Sequence, residues 1–144
     1  MNGLPDSATG STNQPRRVLL VDDNEDSAEL TRMYAEMRGH IARVAYDSHG
    51  ALAAADQFRP DVALVDLHLG GDSGYILAQQ LRATPGLENC RLVAVSGLPR
   101  DVAEAGAEAA GVRFYRHITK PFEREEFFDA IEGQDSSESS STKV

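Results

Sequence analysis

Four acidic residues crowd into five positions directly after an apolar run: "VLLV" leads at once into Asp22 and Asp23, then Glu25 and Asp26. Like charges gathered at the end of a buried strand repel, so they persist only if a cation offsets them or water fully solvates them. Other reactive groups close similar apolar runs: Asp66 after "DVALV", Ser96 after "RLVAV", and Lys120 after "RFYRHIT". Asp22, Asp23 and Asp66 carry three negative charges, and Lys120 returns one positive charge. The remainder matches a divalent cation. Clustered carboxylates with few other ligands suit Mg2+, which keeps several waters and binds through one or two carboxylates plus a phosphate. No cluster of His or Cys offers a zinc site. Beside such an ion an aspartate becomes usable as a nucleophile toward phosphorus, because the metal draws charge from the incoming phosphoryl oxygens. The Ser96 hydroxyl and the Lys120 ammonium would meet the other oxygens.

These groups meet only if the chain brings them together. Val18–Val21 has strand character, and Leu30, Met33, Tyr34 and Met37 recur at helical spacing, forming one face of a helix that Gly39 ends. Asp26, with Glu29 three residues on, is the expected cap of that helix. "HIARVAY" is a strand with Ile41 and Ala45 alternating, and "SHGALAAADQF" is a helix stopped by Pro60. "DVALVDL" is a continuous apolar strand, buried on both faces. "SGYILAQQLRA" is a helix with Ile76, Leu77 and Leu81 inward, and "RLVAVSG" is another strand. "PRDVAEAGAEAAG" is an alanine-rich helix whose apolar face is Val102 and alanines, with Gly106 inside; it buries little and is expected to be weakly held. "RFYRHITKPF" is a strand whose Arg116 and His117 suit a sheet edge. "EREEFFDAI" is a last helix, with Glu123, Glu125 and Glu126 favourably placed at its N-terminus.

Five β-α units in succession specify an α/β fold, a doubly wound parallel sheet with helices on both faces. All strand C-termini of such a sheet lie on one edge, where ligands bind. Asp22, Asp23, Asp66, Ser96 and Lys120 therefore converge on one rim.

With 144 residues, 41% hydrophobic and 26% charged, the chain has the size and balance of one soluble globular domain. Residues 1–15 and the Ser-rich 133–144 read as disordered tails around an ordered 16–132. The net charge of -9 argues against nucleic acid and anionic membrane as partners. No apolar run approaches the roughly 20 residues needed to span a bilayer, and the N-terminus lacks the pattern of a secretory signal. A single cysteine, Cys90, fits a cytoplasmic setting.

"VLLVDDN", "ALVDLHLGGDSGY", "LVAVSG" and "ITKPF" together resemble the motifs of the response-regulator receiver domain of two-component signalling, in order and spacing, over about residues 16–132. The resemblance implies a five-stranded sheet in the order 2-1-3-4-5. It implies that Asp66 is the phosphoacceptor, taking its phosphoryl group from a histidine kinase or a histidine phosphotransfer protein. Asp23 would be a direct metal ligand, Asp22 a ligand through water, and the His68 backbone carbonyl would complete the Mg2+ shell. Ser96 corresponds to the switch hydroxyl, Lys120 to the family's invariant lysine, and Lys120-Pro121 to its cis peptide.

Two positions depart from the pattern. His117 stands where the family usually carries Tyr or Phe, a ring that turns inward when the switch hydroxyl moves; burying imidazole nitrogens costs more, and the coupling would respond to pH. Gly70 stands where Pro is common, so the Gly70-Gly71 loop is expected to be mobile. The expected function is a phosphoacceptor switch or relay acting in trans on a downstream partner protein. A receiver-like module that binds partners regardless of phosphorylation is the alternative. A phosphatase of the haloacid-dehalogenase type is disfavoured because "VDDNED" lacks its D-x-D-x-T pattern. A flavodoxin is disfavoured because Asp22 and Asp23 would face the cofactor phosphate.

Overall fold

A computed structural model describes residues 14–133. The main-sheet strands, numbered in chain order, are β1 (Arg17–Val21), β2 (Ile41–Ala45), β3 (Val62–Asp66), β4 (Arg91–Ser96) and β5 (Arg116–Thr119). The helices are α1 (Glu25–Met37), α2 (Ser48–Phe58), α3 (Gly74–Arg82), α4 (Arg100–Ala110) and α5 (Arg124–Glu132). All four pairings are parallel, in the expected order β2-β1-β3-β4-β5. The proposed tails fall outside the described residues except at 14, 15 and 133. No described helix is long and apolar enough to cross a membrane.

The two-residue period of the strands sorts their side chains into two cores. Leu19, Val21, Ala63, Val65, Leu92 and Ala94 face α2, α3 and α4. Val18, Leu20, Val62, Leu64, Val93 and Val95 face α1 and α5, where Phe127 and Ile131 complete the layer. Continuous apolar runs in β1, β3 and β4 follow from burial on both faces.

Several inward residues differ from the expectation. Helix α1 turns Ala28 and Ala35 to the sheet and leaves Leu30, Met33 and Met37 about half exposed. Small residues let its backbone approach closely, so the larger apolar side chains fall beside the contact. Ile41 begins an edge strand and is exposed, and Ile76 and Val102 also point outward. The α1 cap is Asn24, whose Oδ1 accepts from the Ser27 N–H at 2.9 Å, in place of Asp26. Helix α4 does present a small face, Ala103 and Ala107, yet α3 ties it down. The Tyr75 hydroxyl lies over Gly106 and donates to the Ala103 carbonyl, and the Gln79 amide donates to that of Ala110.

A polar clasp that the sequence did not announce joins both ends of the described chain. Buried His40 accepts the Arg16 N–H on Nδ1 at 3.0 Å, which leaves Nε2–H to donate to Glu132 at 2.7 Å. Arg38 holds the same carboxylate through two further bonds. His40→Ala orphans a part-buried backbone donor and part of Glu132. We expect it to cost about 2–3 kcal/mol, read as a lower urea midpoint at unchanged slope.

Candidate functional site

Because the sheet is parallel, β1, β3, β4 and β5 all deliver their C-terminal residues to one rim. Asp66, the last residue of β3, is 6% exposed, and its two carboxylate oxygens have different partners. Oδ2 meets the Lys120 ammonium at 2.7 Å, and Oδ1 accepts the His68 N–H at 3.0 Å. Lys120 also lies 3.7 Å from Asp22. Asp22, Asp23 and Asp66 each offer one oxygen within 4.8 Å of the others. So three carboxylates share one ammonium, and the convergence expected from the motifs is present in the fold.

The electrostatics follow from that count. Burial pushes the Asp22 carboxyl up from its ordinary value; the Asn24 N–H and Lys120 oppose the rise, while Asp66 and Asp23 add to it. Burial disfavours the charge on Lys120, but its bond to Asp66 and the fields of Asp66, Asp22 and Asp23 outweigh that and raise its pKa. Lys120 is therefore charged at neutral pH. The rise at Asp22 is chiefly burial; it is the count of three carboxylates beside one ammonium that leaves the site short of positive charge, and hard carboxylate oxygens at this spacing fit Mg2+.

Ser96 is buried at the end of β4. Its hydroxyl oxygen accepts the Leu98 N–H at 2.9 Å, and its carbonyl accepts the Lys120 N–H at 2.8 Å, so Ser96 fixes the backbone that carries the lysine. The Lys120-Pro121 peptide is cis. His117 lies on edge strand β5 beside Ala94, its ring edge-on to Phe114 at 5.3 Å in a groove shared with Glu104. Its Nδ1 is buried without a partner. Burial lowers its pKa, against Glu104 and with Arg100, so the imidazole is held toward its neutral form. His68 is exposed, and its N–H is what touches Asp66.

The loop after Asp66 is more ordered than two glycines imply. His68–Leu69 pairs antiparallel with Asp72–Ser73, and Gly70-Gly71 forms the two-residue turn with Gly70 at φ +61°. A Cβ on Gly70 would sit 3.4 Å from Asp23 Oδ2, so the turn lies against the acidic cluster. Another feature escaped the sequence: a groove of about 450 Å3, walled by Leu30, Tyr34, Leu64 and Phe122, reaches Asp66 and Lys120. Its walls come from α1, β3 and the segment after β5, and no local pattern reveals such an assembly.

The family model for the response regulator receiver domain matches residues 18–132. The chain belongs to that family. Receiver domains are the signalling phosphoacceptors of two-component systems. This one is 37% identical over 114 residues to "Probable transcriptional regulatory protein TcrX" of Mycobacterium tuberculosis, covering 78% of the chain and 47% of the relative. It is 33% identical over 113 residues to "DNA-binding response regulator MtrA" of Mycolicibacterium paratuberculosis, covering 77% of the chain and 47% of the relative. Among solved structures it matches a response regulator from Burkholderia pseudomallei, determined with a phosphorylated aspartic acid, calcium ion and citrate. The TM-score is 0.72 at 28% identity, over 85% of this chain and 69% of that one.

The receiver chain spans about half the length of these curated relatives. The expectation that nucleic acid is excluded as a partner is overturned by them, since one is named as DNA-binding. That expectation rested on the net charge of -9. A charge summed over a stretch matching half of a relative does not measure what the whole relative binds.

Proposed function

We propose that this receiver, assigned to residues 16–132, accepts a phosphoryl group on Asp66 from the phosphohistidine of a kinase or phosphotransfer protein. The gain then alters how the domain engages a downstream partner. The observation that carries this reading is the pairing of a buried aspartate with Lys120 at 2.7 Å beside two further carboxylates. Names of the relatives support transcriptional control as the output class, and a cytoplasmic setting accords with the free thiol of Cys90.

Asp22, Asp23, Asp66 and the His68 carbonyl are the residues assigned to hold Mg2+, which when bound neutralises charge on the transferred group. The rest is done by the chain. A lone pair of an Asp66 oxygen attacks phosphorus, the P–O bond forms, the P–N bond to the donor imidazole breaks, and solvent reprotonates the departing nitrogen. Lys120 and the His68 N–H fix the carboxylate plane, so the nucleophile is oriented before the donor arrives. Lys120 then stabilises charge on the phosphoryl oxygens. Ser96 is the hydroxyl assigned to follow the new phosphoryl group, and His117 the ring assigned to respond. The apolar groove beside Asp66 offers the donor a surface to pack on.

The direct test is incubation with a small acyl phosphate and Mg2+, followed by intact mass. One added phosphoryl group that chelator prevents is the expected result; no gain by folded protein would sink the reading. Lys120→Met separates charge from metal binding. Removing the ammonium makes the site more negative, so Mg2+ should bind more tightly while phosphoryl gain slows roughly 10- to 100-fold. Unchanged kinetics in that variant would remove Lys120 from the mechanism.

A further inference from the structure

The hairpin over the site is anchored at a point remote from the chemistry. Asp72 pairs with Leu69, whose side chain is buried in the core, and its own carboxylate reaches outward. Asp72 Oδ2 accepts the Ser48 N–H at 3.1 Å, at the first position of α2. That N–H belongs to the set a helix cannot satisfy internally, and a carboxylate is favoured there by the helix dipole. Asp47 caps the same end by accepting from the Gly50 N–H at 2.7 Å, so Asp72 serves a different donor.

Two parts of the hairpin meet the acidic cluster: the His68 N–H on Asp66, and Gly70 against Asp23. Holding the hairpin therefore holds Asp66 through the His68 N–H and fixes how near the Gly70 turn lies to Asp23. We propose that Asp72 is a positioning residue for phosphoryl gain: by tying the hairpin to the start of α2, it keeps the His68 N–H on Asp66 and Gly70 against Asp23. This rests on Asp66 being the phosphoacceptor. The competing account makes Asp72 a solvated hairpin residue whose exposed hydrogen bond leaves the site unaffected.

The donor can be removed as cleanly as the acceptor. Proline is well accepted at the first helical position and lacks the N–H. Asp47, which would precede it, is already extended at φ -154° and ψ 175°, as a residue before proline prefers. Asp72→Ala and Ser48→Pro should each slow phosphoryl gain from an acyl phosphate roughly two- to fivefold, less than the full worth of a hydrogen bond to a charged group because this bond is exposed and acts on the site only through the hairpin. Combining them should add nothing, because both break the same bond. Asp72→Asn keeps an acceptor oxygen and should behave as wild type.

Amide hydrogen exchange at residues 67–70, measured before any phosphodonor is added, should quicken in Asp72→Ala and Ser48→Pro and not in Asp72→Asn. Unchanged rates and exchange in Asp72→Ala would overturn the proposal. So would a slowed Asp72→Ala beside a normal Ser48→Pro, since charge and not the tether would then be acting. If wild type gains no phosphoryl group, the phosphoacceptor reading fails, and with it the role given to Asp72; quickened exchange would then show the tether alone.

Discussion

Asp66→Asn is expected to abolish phosphoryl gain, a loss of at least roughly a thousandfold, while the protein stays folded. An amide has no anionic oxygen to attack phosphorus, and no other described acid shares the setting of Asp66. It is almost fully buried, lies 2.7 Å from an ammonium and is oriented on its other oxygen by a backbone N–H. The amide must turn its NH2 toward either Lys120 or the His68 N–H, so one hydrogen bond is lost. Against that, one of three crowded negative charges disappears. The two effects oppose each other, and stability should stay within about 1 kcal/mol of wild type. Intact mass measures the first expectation and a denaturant midpoint the second. Undiminished gain in Asp66→Asn would place the acceptor elsewhere, and peptide mapping would locate it.

Gly74→Ala should be the most damaging small substitution near the site. On an open helix surface, Gly to Ala gains about 1 kcal/mol. Here the added Cβ would run into the carbonyl oxygen of Asp66 and come within 2.6 Å of Leu67 Cα. Both obstacles are backbone and cannot rotate away. Either α3 lifts or the end of β3 shifts, and the Gly74 N–H bond to the Leu67 carbonyl at 3.1 Å strains with them. A cost of about 2–4 kcal/mol is expected, with phosphoryl gain slowed because the displaced strand end carries Asp66. The sign is decisive: a variant as stable as wild type would mean that the close approach of α3 to β3 is relaxed in solution.

Much of the site was readable in the chain because a parallel sheet converts sequence position into spatial position. Once "VLLV", "DVALV" and "RLVAV" are strands, the residues that close them must share a rim, whatever the details of packing. Lys120 does lie beside Asp66 and Asp22 on that rim; the strand order, which the rim argument leaves open, is the one the family resemblance implied. Receiver-family motifs added the expected roles, which their spacing alone does not carry.

Local pattern was a weaker guide to which side chains turn inward. Leu30, Met33 and Met37 have helical spacing and apolar character, yet the sheet takes Ala28 and Ala35. Periodicity identifies a face to within a residue or so, and only contact with the sheet chooses between a large face and a small one set slightly to its side. Gly70-Gly71 likewise signals freedom to a local reading; the pairing of His68 with Ser73 and Leu69 with Asp72 spends that freedom on a tight turn.

Sequence by itself determined the fold class, the rim and its charge imbalance, since these depend on residue type and on the direction of strands. Only the tertiary structure decided the His40 clasp, the anchor from Asp72 to Ser48 and the close approach at Gly74. Each joins residues from separate elements across a distance that no short-range rule measures.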